Sequence, residues 1–170
     1  MALNIPTQIG INFRAQLAPN GDEGGGKIGE LLVDLLLGNG VGANQADGMF
    51  FDERSLTGGA NEDIDLQTIL DGNGVALGAA EIVVLIIQTP ASNTGTIELN
   101  DSAANPWISW LNSAVGQDAT LDFLPGTTNI LVCAAAAAYA VAGGNKTMNF
   151  LNLEGGATNV YTLAILTRSA

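Results

Sequence analysis

The sequence predicts an all-β, mostly antiparallel fold, a sandwich or a barrel, on three observations. Apolar stretches of strand length recur about every 10 to 15 residues with Gly, Pro, Asn or Asp between them, the spacing of short strands joined by tight turns. Several of these stretches alternate apolar with polar residues, which is what a sheet with one wet face requires. Glycine makes up 22 of 170 residues and aromatics only 5%, so the core must come from Leu, Ile, Val and Ala threaded through glycine-enabled reversals. No fixed internal period is visible, which argues against a solenoid or propeller.

In chain order, residues 1–26 mix apolar residues without a sustained period and end in NGDEGGG, too glycine-rich for a regular element. They read as an extended N-terminal arm with a glycine hinge, and residues 27–170 as the β-sandwich domain. Leu3, Ile5, Ile9, Ile11, Phe13 and Leu17 suit docking on another surface, with Arg14 among them; a loose terminus is the alternative. In KIGELLVDLLLGNG, the apolar positions fit a helical face or a mostly buried strand, and periodicity does not decide. DGMFFDERSLTGG reads as a strand closed by a Gly-Gly turn. NEDIDLQTIL places Ile64 and Leu66 inward against Asp63, Asp65 and Gln67. EIVVLIIQT, with its β-branched run, is the strongest candidate for a central strand.

TGTIELND continues the pattern with Ile97 and Leu99 on one face. From Ser102 to Gln117 it breaks, with Trp107 and Trp110 clustered beside Pro106. Strands resume in ATLDFLPG, TTNILVCA, TMNFLNLEGG and NVYTLAILT, where Tyr161, Leu163 and Ile165 oppose Val160, Thr162, Ala164 and Leu166. CAAAAAYAVAGG is the chief conflict, because alanine is the best helix former; a strand or irregular passage is favoured over helix.

Composition narrows the function. Five Lys and Arg face 17 Asp and Glu, a formal charge of −12, which repels phosphate backbones and anionic lipid heads, so no nucleic acid and no membrane partner is expected. Apolar residues at 47% against 13% charged indicate a folded chain. The lone Cys133, in the run ILVCAAAAA, reads as a small buried hydrophobe. No basic leader precedes an apolar segment at the N-terminus, and no apolar run approaches bilayer length, so a soluble chain made in the cytoplasm is expected.

Histidine is absent, removing the usual general base and the commonest zinc ligand. Asp52 with Glu53, and Glu62 with Asp63 and Asp65, supply carboxylates of the kind a glycosidase pairs, but alternating segments make a solvated strand face the better reading. NEDID and LDGNG offer oxygen ligands without the spacing of a calcium loop. The glycine segments lack a phosphate-cradle motif. No catalytic residue, cofactor or metal is therefore expected. Trp107 and Trp110 read as core anchors, with a sugar platform or protein contact as the alternative.

From Gly38 onward, the order of LGNGVGANQADGMFFDERSL, GANEDIDLQTILDGNG, EIVVLIIQ, TGTIELNDSAANPWISWL, LDFLPGTTNILVCA, AYAVAGGNKTMNFLNLEGG and YTLAILT resembles small tailed-phage virion proteins of the capsid decoration, or cement, type. PGT stands where that family usually has PGG, and AAAAAYAV replaces a polar turn. The resemblance implies a jelly-roll-like antiparallel β-sandwich assembled in many copies on a capsid exterior, as homotrimers bound to the major capsid protein, and favours strand for Gly29 to Leu37. The interface candidates are then Leu3, Ile5, Ile9, Ile11, Phe13, Arg14, Leu17, Trp107 and Trp110. A head-fibre, tail or adhesin module recognising a host glycan is the alternative.

Overall fold

Wherever the alternation is clear, a strand forms. The computed structural model describes residues 37–108 and 120–169 in full, and Gly10–Gln16 and Glu30–Leu36 by their backbone pairing. The strands are β1 (Gly10–Gln16), β2 (Glu30–Leu36), β3 (Gly38–Asn39), β4 (Gln45–Ala46), β5 (Gly48–Leu56), β6 (Asn61–Asp65), β7 (Glu81–Gln88), β8 (Ile97–Asn100), β9 (Thr120–Phe123), β10 (Thr128–Val132), β11 (Tyr139–Ala140), β12 (Thr147–Asn152) and β13 (Asn159–Arg168). No helix occurs among the described residues.

Two sheets make the sandwich. The larger has the order β10-β7-β13-β5, with β11 pairing the start of β7, and the smaller has the order β6-β12-β8-β9. Every pairing within them is antiparallel. From β5 onward, and setting aside the two-residue β11, successive strands change sheet at each step except β8 to β9, which is the strand order of a jelly roll. Strand β7, read from its β-branched run as central, lies between β10 and β13.

The core fills the space between the sheets. Phe50, Leu85, Ile87, Leu163 and Ile165 face Ile64, Ile97, Leu99, Phe123, Met148 and Phe150, and Phe150 stacks on Tyr161 with ring centroids 4.5 Å apart. The alternation expected for the last strand holds: Tyr161, Leu163 and Ile165 are fully buried. Ile64, Leu66, Ile97 and Leu99 are buried as expected too. One end of the sandwich is sealed by amides. Asn152 donates to the carbonyls of Leu56 and Ala157, Asn159 donates to Asn152, and Asn93 exchanges two hydrogen bonds with the Val160 backbone. Gly58 is required at this end, because a Cβ there would lie 2.7 Å from the backbone of Glu154, Gly155 and Gly156.

A second apolar cluster lies on the outer side of the larger sheet. Leu37, Ala46, Val83, Val84 and Leu166 are buried there, with Ile86, Ala134 and Ala138 packed against them. A register shift between Leu166 and Thr167 leaves Val83 unpaired in β7, so two consecutive valines join this cluster.

The alanine run covers this cluster instead of forming a helix. Other parts of the chain claim its backbone groups: the Cys133 N–H donates to Val83, the Asn44 N–H to Ala134 and the Arg168 guanidinium to Ala135. Tertiary partners thus override helix propensity. Cys133 is a correction, since it is half-buried rather than buried, and its thiol donates to the Ala137 carbonyl. The expected strand over Gly29 to Leu37 appears as β2, paired antiparallel with β1. The 26/27 boundary between arm and domain therefore falls between the two strands of one hairpin.

Candidate functional site

Three surfaces carry chemistry worth weighing: the two lateral edges of the sandwich and the outer face of its larger sheet.

At the first edge, β5 of the larger sheet lies over β6 of the smaller. The two-residue period of β5 turns Phe50, Asp52, Arg54 and Leu56 inward, and the pairing of Arg54 with Tyr161 and of Phe150 with Glu62 brings opposite charges together between the sheets. The Arg54 guanidinium donates from Nε and Nη2 to Glu62 Oε2 at 2.8 and 2.6 Å, and from Nη1 to Asp52 at 2.8 Å. Glu62 Oε1 accepts from the Tyr161 hydroxyl at 2.8 Å.

Both oxygens of Glu62 are thus held by donors. The hydrogen bond to Glu62 raises the Arg54 pKa, burial notwithstanding. Burial first, and then the bond to Glu62, pushes the Tyr161 hydroxyl well above the ordinary phenol range. One arginine joins Asp52 and Glu62, and the solvated face expected from sequence is here a partly buried ion-pair network. Its chemistry is that of a latch.

At the opposite edge, β10 lies over β9, joined by a turn in which Pro125 is followed by Gly126 at φ 79°, the backbone a type II turn needs. Here the inward side chains are Asn129 and Leu131 against Leu121 and Phe123. Together with Leu85, Ile87 and Leu99 they line a cleft of about 260 Å³.

The outer face of the larger sheet carries two apolar rows that cross all four strands. Phe51, Ala164, Ile86 and Ile130 are in register in one, and Met49, Leu166, Val84 and Val132 in the next. Phe51 is 69% exposed, and Met49, Ile130 and Val132 are also open to solvent. A polar row, Glu53, Thr162, Gln88 and Thr128, borders them.

Of the residues singled out from sequence, Leu3, Ile5, Ile9, Leu17 and Trp110 lie outside the described residues. Ile11, Phe13 and Arg14 fall on β1, opposite Leu35, Val33 and Leu32. Trp107 takes the core-anchor reading rather than the interface one that the resemblance implied: it is 1% exposed, meets Tyr139 edge-on and donates its indole N–H to the Ala140 carbonyl. Sequence reasoning missed the outer rows, because register between distant strands is needed to see them. Asp71, in LDGNG, accepts from the Asn73 and Val75 N–H groups and so organises a turn. No cluster of three or more His, Cys, Asp or Glu side chains among the described residues is placed to hold a metal ion. In comparison with known proteins, no family model and no curated protein matches this chain.

Proposed function

We propose that this chain is a non-enzymatic decoration, or cement, protein of a tailed-phage head. It sits on the capsid exterior, binding the major capsid protein lattice and copies of itself, as homotrimers, and stabilises the head through these contacts. The outer face of the larger sheet carries this reading. On a chain of formal charge −12, the exposed apolar side chains of Met49, Phe51, Ile130 and Val132 on this face are suited to a protein partner. The order of turns and strands from Gly38 onward, similar to that of decoration proteins, supports the virion setting. Since one fold hosts many functions, the jelly-roll order adds only consistency. The missing histidine and the fully engaged oxygens of Glu62 support a role without catalysis. A glycan-binding reading that rests on the paired tryptophans loses Trp107 to the core.

Extended segments gain affinity on a lattice through strand addition and multivalency. The test is the chain's copy number and position in purified particles, with and without residues 1–26. Uniform decoration of the shell, abolished by the deletion while the sandwich stays folded, is expected. A position confined to the tail, or binding indifferent to the deletion, would overturn it.

A further inference from the structure

The four strands that end the two sheets are unequally guarded. β5 carries Asp52, Glu53 and Arg54, β6 carries Glu62, Asp63 and Asp65, and β9 carries Asp122. Charges on an edge are an ordinary block to pairing with another chain, as are prolines and bulges. β10, with the sequence TNILV, has no charge and no proline, and its register with β7 runs without a shift. Among the described residues nothing pairs with β10 on its other side.

The hydrogen bonds at the two ends of β10 fix which of its backbone groups are spare. Thr89 donates its N–H to the Thr127 carbonyl, and Cys133 donates its N–H to the Val83 carbonyl. Antiparallel bonding alternates, so Asn129 and Leu131 bond to β7, while Thr128, Ile130 and Val132 turn their N–H and C=O groups to the open edge. These three residues are exposed, whereas Asn129 and Leu131 line the cleft between the sheets. The edge is therefore a row of backbone donors and acceptors beside an apolar opening, which another extended strand can match.

β10 is itself such a strand, and it is self-complementary. Laid antiparallel about a two-fold axis at Ile130, two copies set Ile130 opposite Ile130 and each Thr128 opposite a Val132. Every one of these pairs exchanges both N–H···O bonds, because all three residues face the edge. Two chains of formal charge −12 meet there with no charged side chain on either strand. Ile130, 42% exposed in the single chain, gains an apolar neighbour, and the second copy's Asn129 and Leu131 come to lie beside the mouth of the cleft.

We infer that β10 pairs with β10 of a second copy, joining the two larger sheets into one. This goes beyond the proposed function, since a two-fold contact links chains in pairs and cannot by itself close a trimer. The test uses free protein, so its failure is distinct from a failure to bind particles.

Ile130→Pro removes an outward N–H that β7 does not use, a place where an edge strand tolerates proline, and Ile130→Lys sets a charge at the centre of the contact. Far-UV circular dichroism and thermal melts monitor folding. By sedimentation velocity on the full chain, each variant weakens self-association roughly thirtyfold or more, as loss of a central contact does. Thr128→Glu combined with Val132→Glu opposes like charges and abolishes association, whereas Thr128→Lys combined with Val132→Glu retains it, because the antiparallel register opposes unlike charges. Hydrogen exchange at the Thr128, Ile130 and Val132 amides slows as concentration rises. A monomeric wild-type chain, association indifferent to the folded Ile130 variants, a charge-matched chain that associates no better than the like-charged one, or unprotected amides at these positions would each overturn the inference.

Discussion

The two lateral edges of the sandwich face one geometric problem and solve it with opposite chemistry. At each, an edge strand of one sheet lies over an edge strand of the other, and a connection crosses between them. Sheets stacked about 10 Å apart need long side chains to close such a gap. At the β5/β6 edge, Arg54 is long enough, and its planar fork joins Asp52, Glu62 and, through Glu62, Tyr161. At the β9/β10 edge the inward residues are Leu121, Phe123, Asn129 and Leu131, and a cleft of about 260 Å³ remains. The charged edge has one favourable arrangement, because each donor has a fixed acceptor. The apolar edge tolerates several, since dispersion and burial are non-directional.

The comparison is sharpest at Phe123, fully buried beside the cleft. If that edge contributes packing, Phe123→Ala costs about 3 kcal/mol in urea unfolding; a loss under about 1 kcal/mol would mean that the edge collapses freely. The latch should be worth less. Arg54 and Glu62 retain 28% and 21% side-chain exposure, so Arg54→Met is expected to cost about 1 to 2 kcal/mol, well short of a buried pair. A double-mutant cycle with Glu62→Gln should give a coupling above about 0.5 kcal/mol, and additive effects would show that Arg54 acts only through packing.

Acid should weaken the Asp65–Lys146 pair at the end of β6. Burial opposes the charged form of Asp65, but Lys146 and the Gln67 and Thr68 backbone outweigh it and lower its pKa. The stabilisation is therefore full above the unfolded value, about 3.9, and is lost as pH falls through the lower folded value. Asp65→Asn should flatten that part of the stability profile by a few tenths of a kcal/mol, and an unchanged acid slope would remove Asp65 from the account. Near-neutral behaviour is expected of Leu131→Phe. Overpacking a filled core usually costs about 1 to 3 kcal/mol, whereas a ring entering the cleft should leave stability within about 1 kcal/mol of wild type, read from the same urea titration.

The legible parts of this fold were those that local period controls. NEDID, EIVVLIIQ, IELN and NVYTLAILT became β6, β7, β8 and most of β13 because alternation or β-branching leaves one acceptable placement. The latch was half visible: the period that turns Phe50 and Leu56 inward does the same for Asp52 and Arg54, yet the segment read as a solvated face because Glu62, the partner, lies beyond a turn. Two-residue strands such as β3, β4 and β11 carry no period at all. The path of CAAAAAYAVA depends on Val83, Asn44 and Arg168, none of them near in sequence. The outer apolar rows are a property of register among four strands and have no signature within any one of them.

The place of β13 has a consequence for how the molecule is made. It comes after every other strand of the sandwich, yet it lies between β7 and β5 at the centre of the larger sheet. Until Asn159–Arg168 has left the ribosome, β5 has no neighbour on its sheet and the Tyr161 end of the latch does not exist. The nascent chain must therefore carry open apolar edges until synthesis has passed Arg168. Its folding waits on long-range closure, a slow step that leaves newly made chains dependent on their charge to stay apart.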